Sequence, residues 1–322
     1  MFEFYVRVKG NRVMTIKKVS IIGLGALGVL FGNHLAKRMR LDDVRIIADQ
    51  DRITRYKNEK IYSNGEPCSF YYVTPEEECE PADLLIFSVK FNELDSAIKS
   101  VKKHVGEHTI IISLLNGITS EEIIGKAYGR NKVLYSVAQG MDAVKVGNKL
   151  TYDHMGMICF GSKESGIVSP KAKKLEEFFR KTDVPFELDT DMFRRQWGKF
   201  MLNVGVNQTV AVYKSNYGEI QREGEARELM IAAMREVIAL SEHEGVHLKE
   251  DDLNYWLGVL ETLSPNGKPS MAQDIEAERF SEVDLFSGTV IELGRKFQIP
   301  TPVNQQLYDQ IKKIERKYPV QC

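Results

Sequence analysis

The stretch Val19-Ser20-Ile21-Ile22 runs directly into Gly23-Leu24-Gly25-Ala26-Leu27-Gly28, and Val29 to Met39 then has helical spacing. A short β-branched strand, a glycine turn and a helix in this order restrict the fold more than any other feature of the chain. Gly23 permits a tight turn, Gly25 lets the backbone come close to a pyrophosphate, and Gly28 lets the helix pack near the strand, with Leu24, Ala26 and Leu27 between them. A phosphate would sit on the helix N-terminus. A plain βα turn is the alternative, because G-x-G-x-x-G by itself is common. What favours dinucleotide binding is the context, since further strands and helices alternate after it.

Those strands are read at Val44-Arg45-Ile46-Ile47-Ala48, Leu84 to Val89, Thr109 to Leu114 and Val133 to Val137. Their apolar runs suit a parallel sheet buried on both faces. After about residue 185 apolar residues recur at spacings of three and four through 192–212, 225–244, 253–263 and 271–297, and 303–318 reads as a closing helix. The expected fold is α/β: an N-terminal Rossmann-type doubly wound sheet followed by a mostly helical C-terminal domain. Residues 15–188 form the dinucleotide-binding domain and 189–322 the substrate and catalytic domain. Residues 1–14 read as a loose extension, with Met14 as an alternative start.

The 322 residues suit two domains, and Lys plus Arg (44) against Asp plus Glu (45) leaves a net charge of -1. No global field therefore draws the chain to nucleic acid or to an acidic membrane surface. The four cysteines, Cys68, Cys79, Cys159 and Cys322, form no C-x-x-C pair and are expected as free thiols. With no apolar run long enough to span a bilayer and charges breaking any leader-like segment, a cytoplasmic location is expected.

A ribose-recognising residue belongs about twenty residues past the glycine motif, where Ala48-Asp49-Gln50-Asp51-Arg52 stands. Asp49 suits a 2′-hydroxyl, whereas Arg52 or Arg55 suits a 2′-phosphate. A solvated charged loop is the alternative. In the helical half Lys199, Asn203 and Asn207 follow i, i+4, i+8 spacing and share roughly an 80° stripe of one helix. An ammonium beside two carboxamides can protonate a developing alkoxide and hold neighbouring oxygens, although a wet helix face would look the same. Ser270-Met271-Ala272-Gln273 reads as a capping box or as a carboxylate contact at a helix start, with Glu282 three turns along the same expected helix. His243 and His247, four apart, are read as a solvated face, and no metal site is expected.

Together these residues resemble the ketopantoate reductase (2-dehydropantoate 2-reductase) family from about Lys18 to Tyr318. The matching pieces are the glycine motif, Val89-Lys90, Leu115-Asn116-Gly117, Trp197-Gly198-Lys199 with Asn203 and Asn207, Ser270 to Ile275, and Glu282-Val283-Asp284. The resemblance implies NADPH-dependent reduction of 2-dehydropantoate to (R)-pantoate, a step toward pantothenate and coenzyme A. It makes Lys199 the general acid, and Asn203, Asn207, Ser270 and Glu282 the substrate contacts. Lys90 and Asn116 then stand beside the cofactor. Asp49 departs from the family, which commonly has an arginine there, so the expected cofactor is NADPH with reduced discrimination against NADH. Competing readings are a dehydrogenase acting on another 2-oxo acid, an opine or a polyol phosphate, and a dinucleotide sensor without turnover. A small 2-oxo acid is the expected partner, and a homodimer is the assembly considered.

Overall fold

The computed structural model describes residues 15–318; the extension read at 1–14 and Cys322 lie outside the described residues. The chain begins with β1 (Val19–Ile22), α1 (Ala26–Ala36), β2 (Val44–Ile47) and α2 (Gln50–Glu59). It continues with β3 (Tyr62–Ser63), β4 (Glu66–Pro67), β5 (Tyr71–Val73), β6 (Ala82–Phe87), α3 (Leu94–Ser100) and β7 (Val105–Ser113). Strands β5, β2, β1, β6 and β7, in that spatial order, make one all-parallel sheet. Alternation explains the unbroken apolar runs: on β6, Leu84 and Ile86 face one core cluster and Leu85 and Phe87 the other. The order reverses between β1 and β6, and the crevice beyond their carboxyl ends is where such a sheet binds ligands.

α1 starts at Ala26, inside the glycine motif, three residues before the helix expected from Val29. Gly25 occupies the N-cap position and so offers no side chain to the first amides of the helix.

After α4 (Ser120–Tyr128) come β8 (Tyr135–Met141), β9 (Val144–Val146), β10 (Lys149–Thr151), β11 (Met155–Gly161), α5 (Pro170–Lys181) and β12 (Phe186–Leu188). The run Val133 to Val137 does not pair as a strand of the parallel sheet; it meets β7 through a bridge from Val133 to Ile111 and a hydrogen bond from Ser136 Oγ to the Ser113 carbonyl at 2.6 Å. It then leaves as β8 to pair antiparallel with β11 in a separate sheet ordered β12-β11-β8. An apolar run reports burial and not its partner, which is why the fifth parallel strand expected there is absent from the described sheet, where β5 is present instead. A further small sheet, β4-β3-β10-β9, is built from segments too short and polar to have been read as strands.

The remaining elements are α6 (Met192–Tyr213), α7 (Tyr217–Gln221), α8 (Glu225–Ser241), α9 (Glu250–Glu261), α10 (Ser270–Glu276), α11 (Thr289–Phe297) and α12 (Pro302–Glu315). α6 is the axis of this half. A methyl group at Gly198 would collide with the Trp256 indole of α9, and one at Gly205 would lie 2.6 Å from Met234 Cγ of α8. The two glycines thus let neighbouring helices approach α6 closely. The single helix expected over 271–297 is broken instead. α10 ends at Glu276, Glu278 takes a left-handed φ of 52°, and a π-helical turn over Asp284–Gly288 leads into α11. His243 sits in a turn after α8 and stacks on Phe297 with ring centroids 5.1 Å apart, and His247 lies beyond it at φ 56°. The two do not share a helix face. Among the described residues no helix is long and apolar enough to cross a membrane.

Candidate active site

The first part of the site is the backbone at the end of β1. Gly23 has φ +95°, and a Cβ there would lie 2.7 Å from the Val89 side chain and run into the Ser88 carbonyl. A Cβ at Gly28 would collide with the Gly23 carbonyl. Gly25 differs: its nearest neighbour would be the Ser88 carbonyl oxygen at 3.6 Å, an ordinary contact. The protein itself therefore demands glycine at 23 and 28, while the space in front of Gly25 is left open at an uncapped helix start. That arrangement fits a pyrophosphate. Leu24 is buried beside it, and Ala26 and Leu27 form the first turn of α1.

From this turn a cleft of about 210 Å³ runs to the ends of β2 and β6, passing Ala48, Asp49, Arg52, Tyr56, Val89 and Glu93. Asp49 is the N-cap of α2, its carboxylate accepting from the Arg52 amide at 2.7 Å. Arg52 reaches Asp49 with Nε at 3.4 Å and Glu93 with Nη2 at 3.0 Å. Arg55 lies over the Tyr56 ring at 5.5 Å.

The second part lies where α6 meets the sheets. Lys199, partly buried, donates to the Ala138 carbonyl of β8 and to Asn116 Oδ1 at 3.4 Å. Asn116 follows β7, and its Nδ2 donates to Glu282 Oε2 at 3.4 Å. One carboxamide thus joins the ammonium to the carboxylate, its two ends serving opposite polarities. Desolvation lowers the Lys199 pKa to about 8, against the opposing pull of Cys159 and Glu282. Desolvation raises the Glu282 carboxyl above its usual range, with the Asn116 hydrogen bond and the Lys90 charge working the other way.

Below Lys199 on α6, Asn207 donates to Asn203 Oδ1 at 3.3 Å, and its own Oδ1 accepts from Ser270 Oγ and the Met271 amide, each at 3.4 Å. Ser270 is the first residue of α10 and makes no capping bond, since Pro269 holds the cap position and Gln273 donates to the Lys268 carbonyl. The capping-box alternative therefore does not describe this serine. Lys90 pairs with Asp274 at 3.1 Å, and Arg279 takes the other carboxylate oxygen at 2.8 Å.

The fold thus gathers Lys199, Asn116 and Glu282 into one cluster, joins Asn203, Asn207 and Ser270 in a second, and sets Lys90 at the seam between the halves. Glu282 arrives from the turn after α10, not along that helix. Asp274 and Glu93 were not singled out in the sequence. Asp274 stands in the Ser270 to Ile275 motif and carried that signal, whereas Glu93 carried none. Among the described residues no group of three or more His, Cys, Asp or Glu is arranged around a metal ion.

Two family models match the chain: "Ketopantoate reductase PanE/ApbA" over residues 19–163 and "Ketopantoate reductase PanE/ApbA C terminal" over 191–315. A 2-dehydropantoate 2-reductase of Aquifex aeolicus is 25% identical over 305 residues, covering 93% of this chain and 97% of the relative. Among solved structures, D-mandelate dehydrogenase with NADH and anilino(oxo)acetate superposes with a TM-score of 0.83 at 21% identity, covering 94% of this chain and 99% of that one. A dimeric ketopantoate reductase from Staphylococcus aureus gives 0.75 at 19% identity, covering 94% and 100%.

Proposed function

The chain belongs to the ketopantoate reductase family, and on that footing we propose that it reduces 2-dehydropantoate to (R)-pantoate with a reduced nicotinamide dinucleotide. The observation that carries this reading is the Lys199–Asn116–Glu282 cluster at the seam between the glycine turn's half and the helical half.

When bound, the nicotinamide supplies a hydride to the ketone carbon. Lys199 gives its proton to the oxygen that becomes the hydroxyl. With a pKa near 8 the ammonium is mostly charged at neutral pH yet a better acid than an ordinary lysine. Asn116 holds the ammonium in place through Oδ1 and steadies Glu282 through Nδ2. Glu282 is suited to accept from a substrate hydroxyl, and Ser270, Asn203 and Asn207 to hold the carboxylate and neighbouring oxygens. Gly23 to Gly28 and the first turn of α1 take the pyrophosphate. The Lys90–Asp274–Arg279 pairing holds the two halves together beside the site and helps to exclude water.

The similarity to D-mandelate dehydrogenase favours a second reading, a different 2-oxo acid as substrate. The test is cofactor oxidation with ketopantoate beside a panel of 2-oxo acids. Turnover with ketopantoate highest by catalytic efficiency supports the first reading, and a strong preference for an aromatic 2-oxo acid replaces it with the second. A homodimer, as in the S. aureus protein, and a cytoplasmic setting for this small-molecule chemistry complete the proposal.

A further inference from the structure

The charges where β2 ends come from two sides of the sheet's switch point. Asp49 stands at the start of α2, and Glu93 comes from the turn after β6, so the Arg52 guanidinium between them is held by carboxylates from two different crossover connections. All three side chains line the same cleft as the glycine turn. Glu93 occupies the N-cap position of α3 yet makes no capping bond there, so its carboxylate serves Arg52 and not the helix. Arg55 is engaged with the Tyr56 ring.

A 2′-phosphate needs guanidinium donors that are not already spent, and it is repelled by carboxylates left facing it. Here one arginine is shared by two carboxylates, which leaves the cluster with a net negative charge. A ribose 2′-hydroxyl meets the opposite situation, since it can donate to a carboxylate oxygen. We propose that Glu93 is a cofactor-selecting residue: by holding Arg52 against Asp49 it makes the ribose end of the cleft a diol pocket, and the protein takes NADH in preference to NADPH. This rests on reading the cleft as a nicotinamide dinucleotide site, and it replaces the NADPH expected from the family resemblance.

The test is equilibrium titration of the protein with NADH and with NADPH, followed by nicotinamide fluorescence, with no keto acid present. The wild type should bind NADH at least about tenfold more tightly, and Glu93→Gln, which removes one of the two carboxylates on Arg52 and costs no capping bond, should narrow that ratio by about tenfold, mainly by tightening NADPH. Asp49→Ser, which keeps a capping oxygen, should narrow it as well, and thermal melts on both variants check that they fold. Equal or tighter wild-type binding of NADPH, or a ratio that Glu93→Gln leaves unmoved in a folded protein, overturns the proposal. Binding of neither cofactor overturns both this and the proposed function. A ratio as expected beside no reduction of any 2-oxo acid supports the selector and removes only the proposed reaction.

Discussion

In the sheet half, the groups that would face a bound molecule are mostly backbone: the turn Gly23 to Gly28 and the first amides of α1, with Gly23 and Gly28 required by the neighbouring Ser88 and Gly23 carbonyls and Gly25 not. In the helical half they are side chains on α6, α10 and the turn beyond it, held at 3.3 to 3.4 Å by one another and by Asn116 of the sheet half. A backbone site is damaged by adding an atom, and a side-chain site by removing one. The two halves should therefore respond to substitution in different observables, folding and cofactor affinity on one side, turnover and substrate affinity on the other.

The largest effect belongs to the helical half. Lys199→Ala should lower turnover by about 10²-fold or more while cofactor binding stays intact. Near-normal turnover in a folded variant would remove the general acid and with it the contrast between the halves. The wild-type pH profile sharpens the same point. Because the Lys199 pKa is depressed to about 8, the proton donor is lost as pH rises through that value, and kcat/KM should fall there. The absence of that limb would assign the proton to another group.

The glycine turn comes next, and it contains its own internal control. Gly25→Ala should cost at most about 1 kcal/mol, the preference of an N-cap for glycine over alanine, and weaken dinucleotide binding by about tenfold, because its methyl makes only an ordinary contact within the protein and lies where the pyrophosphate belongs. Gly28→Ala should instead cost about 1–3 kcal/mol of stability, since its methyl meets the Gly23 carbonyl. Equal effects on stability from both would mean that Gly25 is also a packing residue and that no ligand need be invoked there.

The smallest expected effect is at Ser270. With no capping bond to lose, Ser270→Ala should raise the substrate KM by about three- to tenfold and leave the melting temperature alone. A drop in stability with unchanged kinetics would return the serine to a purely structural role.

Legibility in the sequence divides along the same line. The glycine turn could be read directly, because its geometry is written in consecutive residues, and the Lys199–Asn203–Asn207 stripe could be read because one helix carries all three at a fixed period. Glu282 was misplaced: periodicity put it three turns along the helix that starts at Ser270, and it stands in the turn beyond that helix. The apolar positions Val283, Leu285 and Phe286 keep a helix-like spacing across a stretch that Glu278 turns out of the helical register, so periodicity alone ran the helix straight through. The meeting of Asn116 with both Lys199 and Glu282 depends on three segments that are distant in sequence. The pairing of Glu93 with Arg52 depends on two crossovers closing around one crevice. Neither leaves a trace in spacing, and resemblance alone brought Asn116 forward.

Asp49 carries two assignments at once, since the carboxylate facing the ribose end of the cleft is also the cap of α2. This narrows the mutational routes by which a lineage of such proteins can exchange one cofactor for the other. A change from Asp49 directly to arginine would bring the charge a phosphate wants but remove the acceptor for the Arg52 amide, a loss of about 1 kcal/mol. Serine, threonine or asparagine keeps the cap and gives up only the charge. A drift toward the phosphorylated cofactor would therefore run through one of those three small polar residues, or start across the cleft at Glu93, where no helix depends on the side chain.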